Sequence, residues 1–371
     1  MVLSAALHIL IILLGISLLI GIHELGHFLV AKAFGIKILR FSIGFGKALW
    51  SKRTKSGLEI VFAAIPLGGY VKMLDEREGS VAEKDLPFAF NRQSLAKRAA
   101  VIAAGPVANF FLAWLLFCLS LQMGLTQLKP LLAQPLPHSI AAKANLPADS
   151  QILKVDGFDV ASWSDTVISL LLHYGKQDPL LLQLKSGDKL SEHRLNVQEW
   201  TLDSLQPDPF TSLGLVPKIA TLAELKANKS LYLEHLQYPP GKAAKAAWQK
   251  TARYLNFNFF MTYKLLTGII SIKSLTGPIG IFKGLKFAVS EGLASYLQML
   301  AILSIAIGFI NLFPWPGLDG GHLLLICLEF VRRRPLSVAV EVLIYRLSVI
   351  LLALLMVQAL LNDLLRVSLG K

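Results

Sequence analysis

The chain has 371 residues, of which 54% are hydrophobic and only 16% charged, with a mean hydropathy of +0.56. Soluble domains carry about 25% charged residues, so this composition excludes an ordinary soluble protein and points to an integral membrane protein with room for one extramembrane domain. The net charge of +13 is no nucleic-acid signature here, because basic residues beside membrane spans follow from the positive-inside rule and from anionic headgroups.

Residues 1–33 form the first span. Met1-Val2-Leu3-Ser4 lacks the positive n-region of a signal peptide. The apolar run continues into His23-Glu24-Leu25-Gly26-His27, so the span reads as retained. On a helix, His23 and His27 leave the same face and can grip one ion. Glu24 stands beside them, where a carboxylate can take a proton from metal-bound water. H-E-x-x-H with two neutral His ligands and a base is the zinc-hydrolase arrangement, and it requires a third protein ligand. A chain of this length meets the pattern by chance on the order of once in a hundred. The bland alternative is a helix end carrying interfacial polar residues. An ionisable cluster in an apolar segment is costly without partners and a function.

Residues 34–94 are not a span. Phe41 to Trp50 and Leu58 to Ile65 flank a basic turn, Ser51 to Gly57, and Pro66-Leu67-Gly68-Gly69-Tyr70-Val71-Lys72-Met73 follows. This is β-hairpin material. Two placements fit: a re-entrant sheet beside the metal helix, tolerated because it lines a cavity, or an amphipathic sheet on the membrane surface. A charged loop leads to the second span, residues 95–124, whose start is rich in small residues that let helices approach closely. Asn109 there is either a helix-packing amide or a participant in the chemistry.

Residues 125–218 are polar, with turn signals and strand-like runs at Gln151–Gly157, Pro179–Leu184 and Arg194–Val197. They read as a small α+β domain. Residues 219–293 read as helices and loop on the outer side or at the membrane, with 219–250 helical, Lys-rich and ending at Tyr238-Pro239-Pro240-Gly241. The third span, 294–330, is broken at Asn311-Leu312-Phe313-Pro314-Trp315-Pro316-Gly317-Leu318-Asp319-Gly320-Gly321-His322. Such a break frees backbone groups and should line the active cavity. Asp319 is then an intramembrane carboxylate whose cheapest partner is the cation held by His23 and His27; the alternative is a cap for the following helix. His322 reads as a polar helix-end residue, since a catalytic zinc keeps one position for water. Residues 331–371 give the basic Arg332-Arg333-Arg334-Pro335 and a fourth span from about Leu347 to Leu361. Cys118 and Cys327 read as small buried hydrophobes. Four spans put the basic loops on the cytoplasmic side and the 125–218 domain outside.

These pieces resemble the site-2 protease family of intramembrane zinc metalloproteases, most closely its bacterial RseP-like branch. The likeness rests on His23 to His27, Phe41-Ser42-Ile43-Gly44-Phe45-Gly46, Pro66 to Glu76, Ala103-Ala104-Gly105-Pro106-Val107-Ala108-Asn109-Phe110 and Asn311 to His322. It implies zinc held by His23, His27 and Asp319, with Glu24 as base and Asn311 handling substrate. The segment Ser139–Gly157 resembles the bacterial PDZ pattern, whose domains bind extended peptides by strand addition. The implied fold is a polytopic helical membrane protein with a membrane re-entrant hairpin and one PDZ-like α+β domain. The implied location is the bacterial inner membrane, with the PDZ-like domain periplasmic. The branch usually carries tandem PDZ modules; here there is room for one, ending near Leu213–Pro217, and Ala306 stands where a second Asn would be expected.

The expected reaction is peptide-bond hydrolysis within a transmembrane segment. A helix hides its carbonyls, so the substrate must unwind, and an edge strand at Gly68, Gly69, Tyr70 and Val71 could hold it extended. The resemblance implies single-span substrates of the anti-sigma-factor type, already trimmed by another protease in a sigma-E stress response, and remnant signal peptides; it implies no nucleic acid. Two competing readings are a non-catalytic membrane PDZ scaffold with a structural metal, for which loss of Glu24 leaves function intact, and a zinc-bearing transporter, which predicts flux.

Overall fold

The structure is a computed structural model that describes residues 2–205, 207–334 and 337–368. The sequence readings of Met1 and Pro335 lie outside the described residues. Helices long and apolar enough to cross a membrane are Ala6–Ala33, Leu95–Met123, Leu293–Leu312 and Val342–Ser368. The chain divides into two compact units: residues 1–122, 239–255 and 278–357 form one, and 123–238, 256–277 and 358–371 the other.

The first unit begins with α1 (Val2–Ala33). Leu7, Leu10, Leu14 and Leu18 lie exposed along it while Ile12 and Leu19 are buried, the division expected of a span with one face on lipid and one on protein. A hairpin follows, β1 (Ile38–Arg53) and β2 (Glu59–Met73). Its register doubles: residues 40–43 pair with 69–72 on one side and with 59–62 on the other, while 50–53 pair with 59–62. Residues 40–43 of β1 and 59–62 of β2 are thus each paired twice, and Gly69–Met73 forms an outer edge. The predicted basic turn is shorter than expected. Ser51, Lys52 and Arg53 belong to β1, and the reversal is closed by Thr54 and Leu58 N–H···O bonding at 2.8 Å.

α2 (Leu95–Met123) buries Val101, Gly105, Asn109, Leu112 and Leu116, a stripe at helical spacing. In the second unit the chain then runs through β3 (Leu125–Leu128), β4 (Leu131–Leu132), α3 (Ile140–Lys143), β5 (Ser150–Val155), β6 (Phe158–Asp159), α4 (Trp163–His173), β7 (Leu180–Ser186) and β8 (Lys189–Leu195). Among the described residues, β4, β5, β7 and β8 form the sheet in that order, with β6 on β5. Leu180, Leu182 and Leu184 alternate onto one face and are fully buried, against Ile152, Val155, Leu170 and Leu195. The strand expected at 194–197 is instead 189–195, because the Gly187-Asp188 turn starts it earlier.

After α5 (Pro209–Leu213), α6 (Leu222–Ala227) and α7 (Lys229–Tyr232) comes β9 (Leu233–Leu236), which pairs with β3. This corrects the helical reading of 219–250: Leu233 and Leu236 are recruited to a partner strand more than a hundred residues away. α8 (Pro240–Leu266) opens at the proline pair taken above as an end; Pro fits the first helical turn, whose N–H groups have no helical partner. From its tail, Lys264 Nζ donates to the Leu171 and Leu172 carbonyls at 2.6 and 3.0 Å.

The first unit is completed by α9 (Pro278–Ser290), α10 (Leu293–Leu312), α11 (Asp319–Arg332) and the start of α12 (Val338–Ser368). The fourth span is therefore longer than expected. Tyr296 Oη donates to Ile11 O at 2.7 Å and Ser120 Oγ to Ala294 O at 2.8 Å, tying α10 to α1 and α2. Arg98 of α2 donates to Glu329 of α11 at 2.7 Å. Cys118 is buried as expected, but Cys327 is exposed on α11.

Candidate active site

α1 brings His23, Glu24 and His27 into slightly more than one turn near its end. The two imidazoles meet edge to face, 4.9 Å between centroids at 81°. The break after α10 starts α11 at Asp319. Its Oδ2 lies 3.0 Å from His23 Nε2 and 3.4 Å from His27 Nε2, and the two Nε2 atoms are 3.3 Å apart. Leu318, not Asp319, is the N-cap of α11, and no side chain caps that helix. Asp319 Oδ2 is buried without a hydrogen-bond partner.

These three atoms suit a metal. Zinc takes N and O ligands at about 2.0–2.1 Å, which separates neighbouring ligands of a tetrahedron by ~3.3 Å. The observed separations of 3.0, 3.3 and 3.4 Å match that edge. A buried carboxylate oxygen with no hydrogen-bond partner, converging with two imidazole nitrogens, is costly unless a cation sits among them. Among the described residues, His23, His27 and Asp319 are the group able to hold an ion.

α2 supplies the second layer. Val101 O accepts from His27 Nδ1 at 2.8 Å. A main-chain carbonyl can only accept, so Nδ1 carries the hydrogen and Nε2 is left with its lone pair. The Asn109 amide lies 3.2 Å from His23 Nδ1. Between them, Gly105 faces the rings: a Cβ there would stand 2.3 Å from His27 Nε2 and 2.9 Å from His23 Cε1. Only glycine allows that approach.

The hairpin edge closes the other wall. A Cβ on Gly69 would meet Ser42 O at 2.7 Å and Glu24 Cγ at 2.9 Å, so the β2 backbone rests on the Glu24 side chain. A cavity of about 560 Å³ is lined by His23, Glu24, His27 and Asp319 together with Asn311, Gly68, Gly69, Tyr70 and Val71. The residues assigned from the sequence as ligands, base and substrate contacts therefore meet in one cavity, and Asn109, left open there, is not among its lining residues. His322 lines it too, outside the converging group. Phe45, Asp75, Arg77 and Val101 also line it and were not singled out. Phe45 stacks on Tyr70 at 6.3 Å and 8°, and its place in Gly44-Phe45-Gly46 was the signal for it.

The profile described as Peptidase family M50 matches residues 11–355. The chain is 33% identical to Protease RseP of Yersinia pestis over 436 aligned positions, covering 95% of this chain and 97% of that protein. It is 33% identical to Regulator of sigma-E protease RseP of Escherichia coli, with the same coverage. It is 31% identical to Regulator of sigma E protease of Haemophilus influenzae, covering 95% and 98%. The alignments are longer than this chain, so the relatives hold residues with no counterpart here. A converging His–His–Asp set beside a glutamate, within a multi-pass chain matched almost end to end, leads to one conclusion: the protein belongs to peptidase family M50, the zinc-dependent metalloproteases of the site-2 type.

Proposed function

We propose that this protease cuts single-span membrane proteins within their spans, with His23, His27 and Asp319 holding zinc and Glu24 as the base. The convergence of three ligand atoms at 3.0 to 3.4 Å on the wall of a cavity that also holds Glu24 carries this reading. When bound, zinc supplies a Lewis acid that polarises the scissile carbonyl and lowers the pKa of a water to about 7. Glu24 takes the proton of the attacking water and returns it to the leaving amine. Gly68, Gly69, Tyr70 and Val71 hold the unwound substrate by strand addition. Asn311, on the last turn of α10, orients the substrate carbonyl or the developing oxyanion.

The chain resides in the bacterial inner membrane with its basic loops cytoplasmic. The sheet of β4, β5, β7 and β8 is a single PDZ-like module on the periplasmic side. We take the substrate to be an anti-sigma factor, a reading in line with relatives named regulators of sigma E, with remnant signal peptides a second class.

Cleavage of a model transmembrane substrate in detergent, wild type against Glu24→Gln with zinc content measured in both, tests the assignment. Wild-type cleavage with at least about 10³-fold loss in the variant at equal zinc is the expected result, as for a proton-transfer residue. Equal cleavage by both removes Glu24 from the mechanism. No cleavage by either, with zinc retained, favours a scaffold with a structural metal.

A further inference from the structure

Val101, Gly105 and Asn109 lie four residues apart and so share one face of α2. That face meets His23 and His27, themselves four apart on α1. Val101 O holds His27 Nδ1, the Gly105 backbone passes over both rings, and the amide nitrogen Nδ2 of Asn109 stands 3.2 Å from His23 Nδ1. Asn109 is fully buried, and its Oδ1 has no hydrogen-bond partner.

We infer that Asn109 is the positioning residue for the metal ligand His23: its amide oxygen accepts the Nδ1 hydrogen of His23 and thereby aims Nε2 at the ion. This rests on the metal-site reading above. His23 Nε2 must offer a lone pair toward Asp319 and His27, so the one hydrogen of the neutral ring sits on Nδ1. Nδ1–H then requires an acceptor, and the amide is the group within reach. The two ends of an amide are nearly isosteric, so half a turn about its last side-chain bond puts Oδ1 where Nδ1 needs it. The turn also gives the buried amide oxygen, which has no hydrogen-bond partner as placed, a donor. Asn109 so mirrors in a side chain what Val101 does for His27 with the main chain. Its own backbone is anchored: Ser304 Oγ, fully buried on α10, donates to Asn109 O at 2.8 Å. Partners of this kind fix the tautomer and raise the donor strength of a ligating imidazole.

The test is zinc affinity of the full-length protein in detergent, by competition with a chromophoric chelator and without substrate. Asn109→Ala weakens zinc binding about 10–100-fold, the usual effect of losing such a partner. Asn109→Asp, which can only accept, binds at least as tightly as wild type. The inference is overturned if Asn109→Ala binds zinc like wild type, or if Asn109→Asp is as weak as Asn109→Ala. Should Asn109→Ala not fold, the visible spectrum of cobalt-loaded Asn109→Asp decides. A carboxylate acting on His23 shifts the bands from wild type, and an unshifted spectrum overturns the role. Because no substrate is used, failure of the proteolytic reading leaves this result standing, and zinc retained at wild-type affinity by a His23→Ala/His27→Ala protein would overturn the metal-site reading itself.

Discussion

A methyl group is enough to separate the two halves of this site. Gly105→Ala places a carbon 2.3 Å from Nε2 of the buried His27 ring. The imidazole must turn, and zinc content falls together with activity. Gly69→Ala instead meets Glu24 Cγ at 2.9 Å and the Ser42 carbonyl at 2.7 Å, so it displaces the base and the edge while leaving the ligands alone. Zinc content then stays at the wild-type level and kcat/KM falls, by about 10²-fold if the carboxylate moves by an ångström. Metal analysis beside kinetics on both variants distinguishes these outcomes; loss of zinc in Gly69→Ala would show that the edge supports the ligands. His23, Glu24 and His27 were legible because their types and spacing encode chemistry. Asp319 was legible because a carboxylate in a broken span needs a cation. Asn109 was seen, but its role was open, since an amide on a small-residue helix face fits packing as well as any site. Val101 was not seen at all, because what it offers is its backbone.

At the scale of elements, patterns set by local sequence were legible and those set by distant partners were not. The hairpin was visible in its alternation, but the double register of residues 40–43 was not, because it depends on both flanking segments returning to one strand. β9 was hidden in a Lys-rich stretch for the same reason. The Asp156-Gly157 reversal between β5 and β6 is local: φ values of 49° and 78° mark the left-handed pair that suits a two-residue hairpin. Asp156 does more than turn. Its carboxylate accepts from His173 Nδ1 at 2.5 Å and from the Leu181 N–H at 3.1 Å. Burial pushes its pKa up, but His173 and the Leu181 amide outweigh that, and the net direction is down. A depressed carboxyl stabilises the folded state above its unfolded value, about pH 3.9, and the contribution disappears as pH falls through the folded value. The second unit should therefore lose stability on acidification below about pH 4. Asn is tolerated at positive φ, so Asp156→Asn keeps the turn and should remove this acid dependence while lowering neutral stability by about 1–2 kcal/mol. Thermal unfolding followed across that pH range in both proteins checks it; parallel curves would refute the assignment.

On the scale of the whole molecule, the apolar spans were readable from composition, and their lipid-facing leucines account for the exposed apolar surface of α1 and α12. The assembly of the second unit from three separate stretches was not. Asn362 of α12 donates to Ile272 O at 3.0 Å, and Arg366 donates to Leu205 O at 3.0 Å; neither link leaves a trace in sequence spacing. The first unit is held by helix contacts that do not pass through the ligand atoms: Tyr296 to Ile11, Ser120 to Ala294 and Arg98 to Glu329. Stripping the metal with a chelator should thus abolish proteolysis yet leave the helical circular dichroism unchanged, and readdition of zinc should restore cleavage. Collapse of the helical signal on chelation would mean that the metal is structural.

The carbonyl of Val101 has one more consequence. Every amino acid brings the same oxygen, so a survey of substitutions at position 101 would find any residue of suitable bulk acceptable and score the position as dispensable. The support beneath His27 is in this sense hidden from genetics. Tolerance at that position measures only how well side chains fit between α1 and α2, and says nothing about the service the main chain performs there.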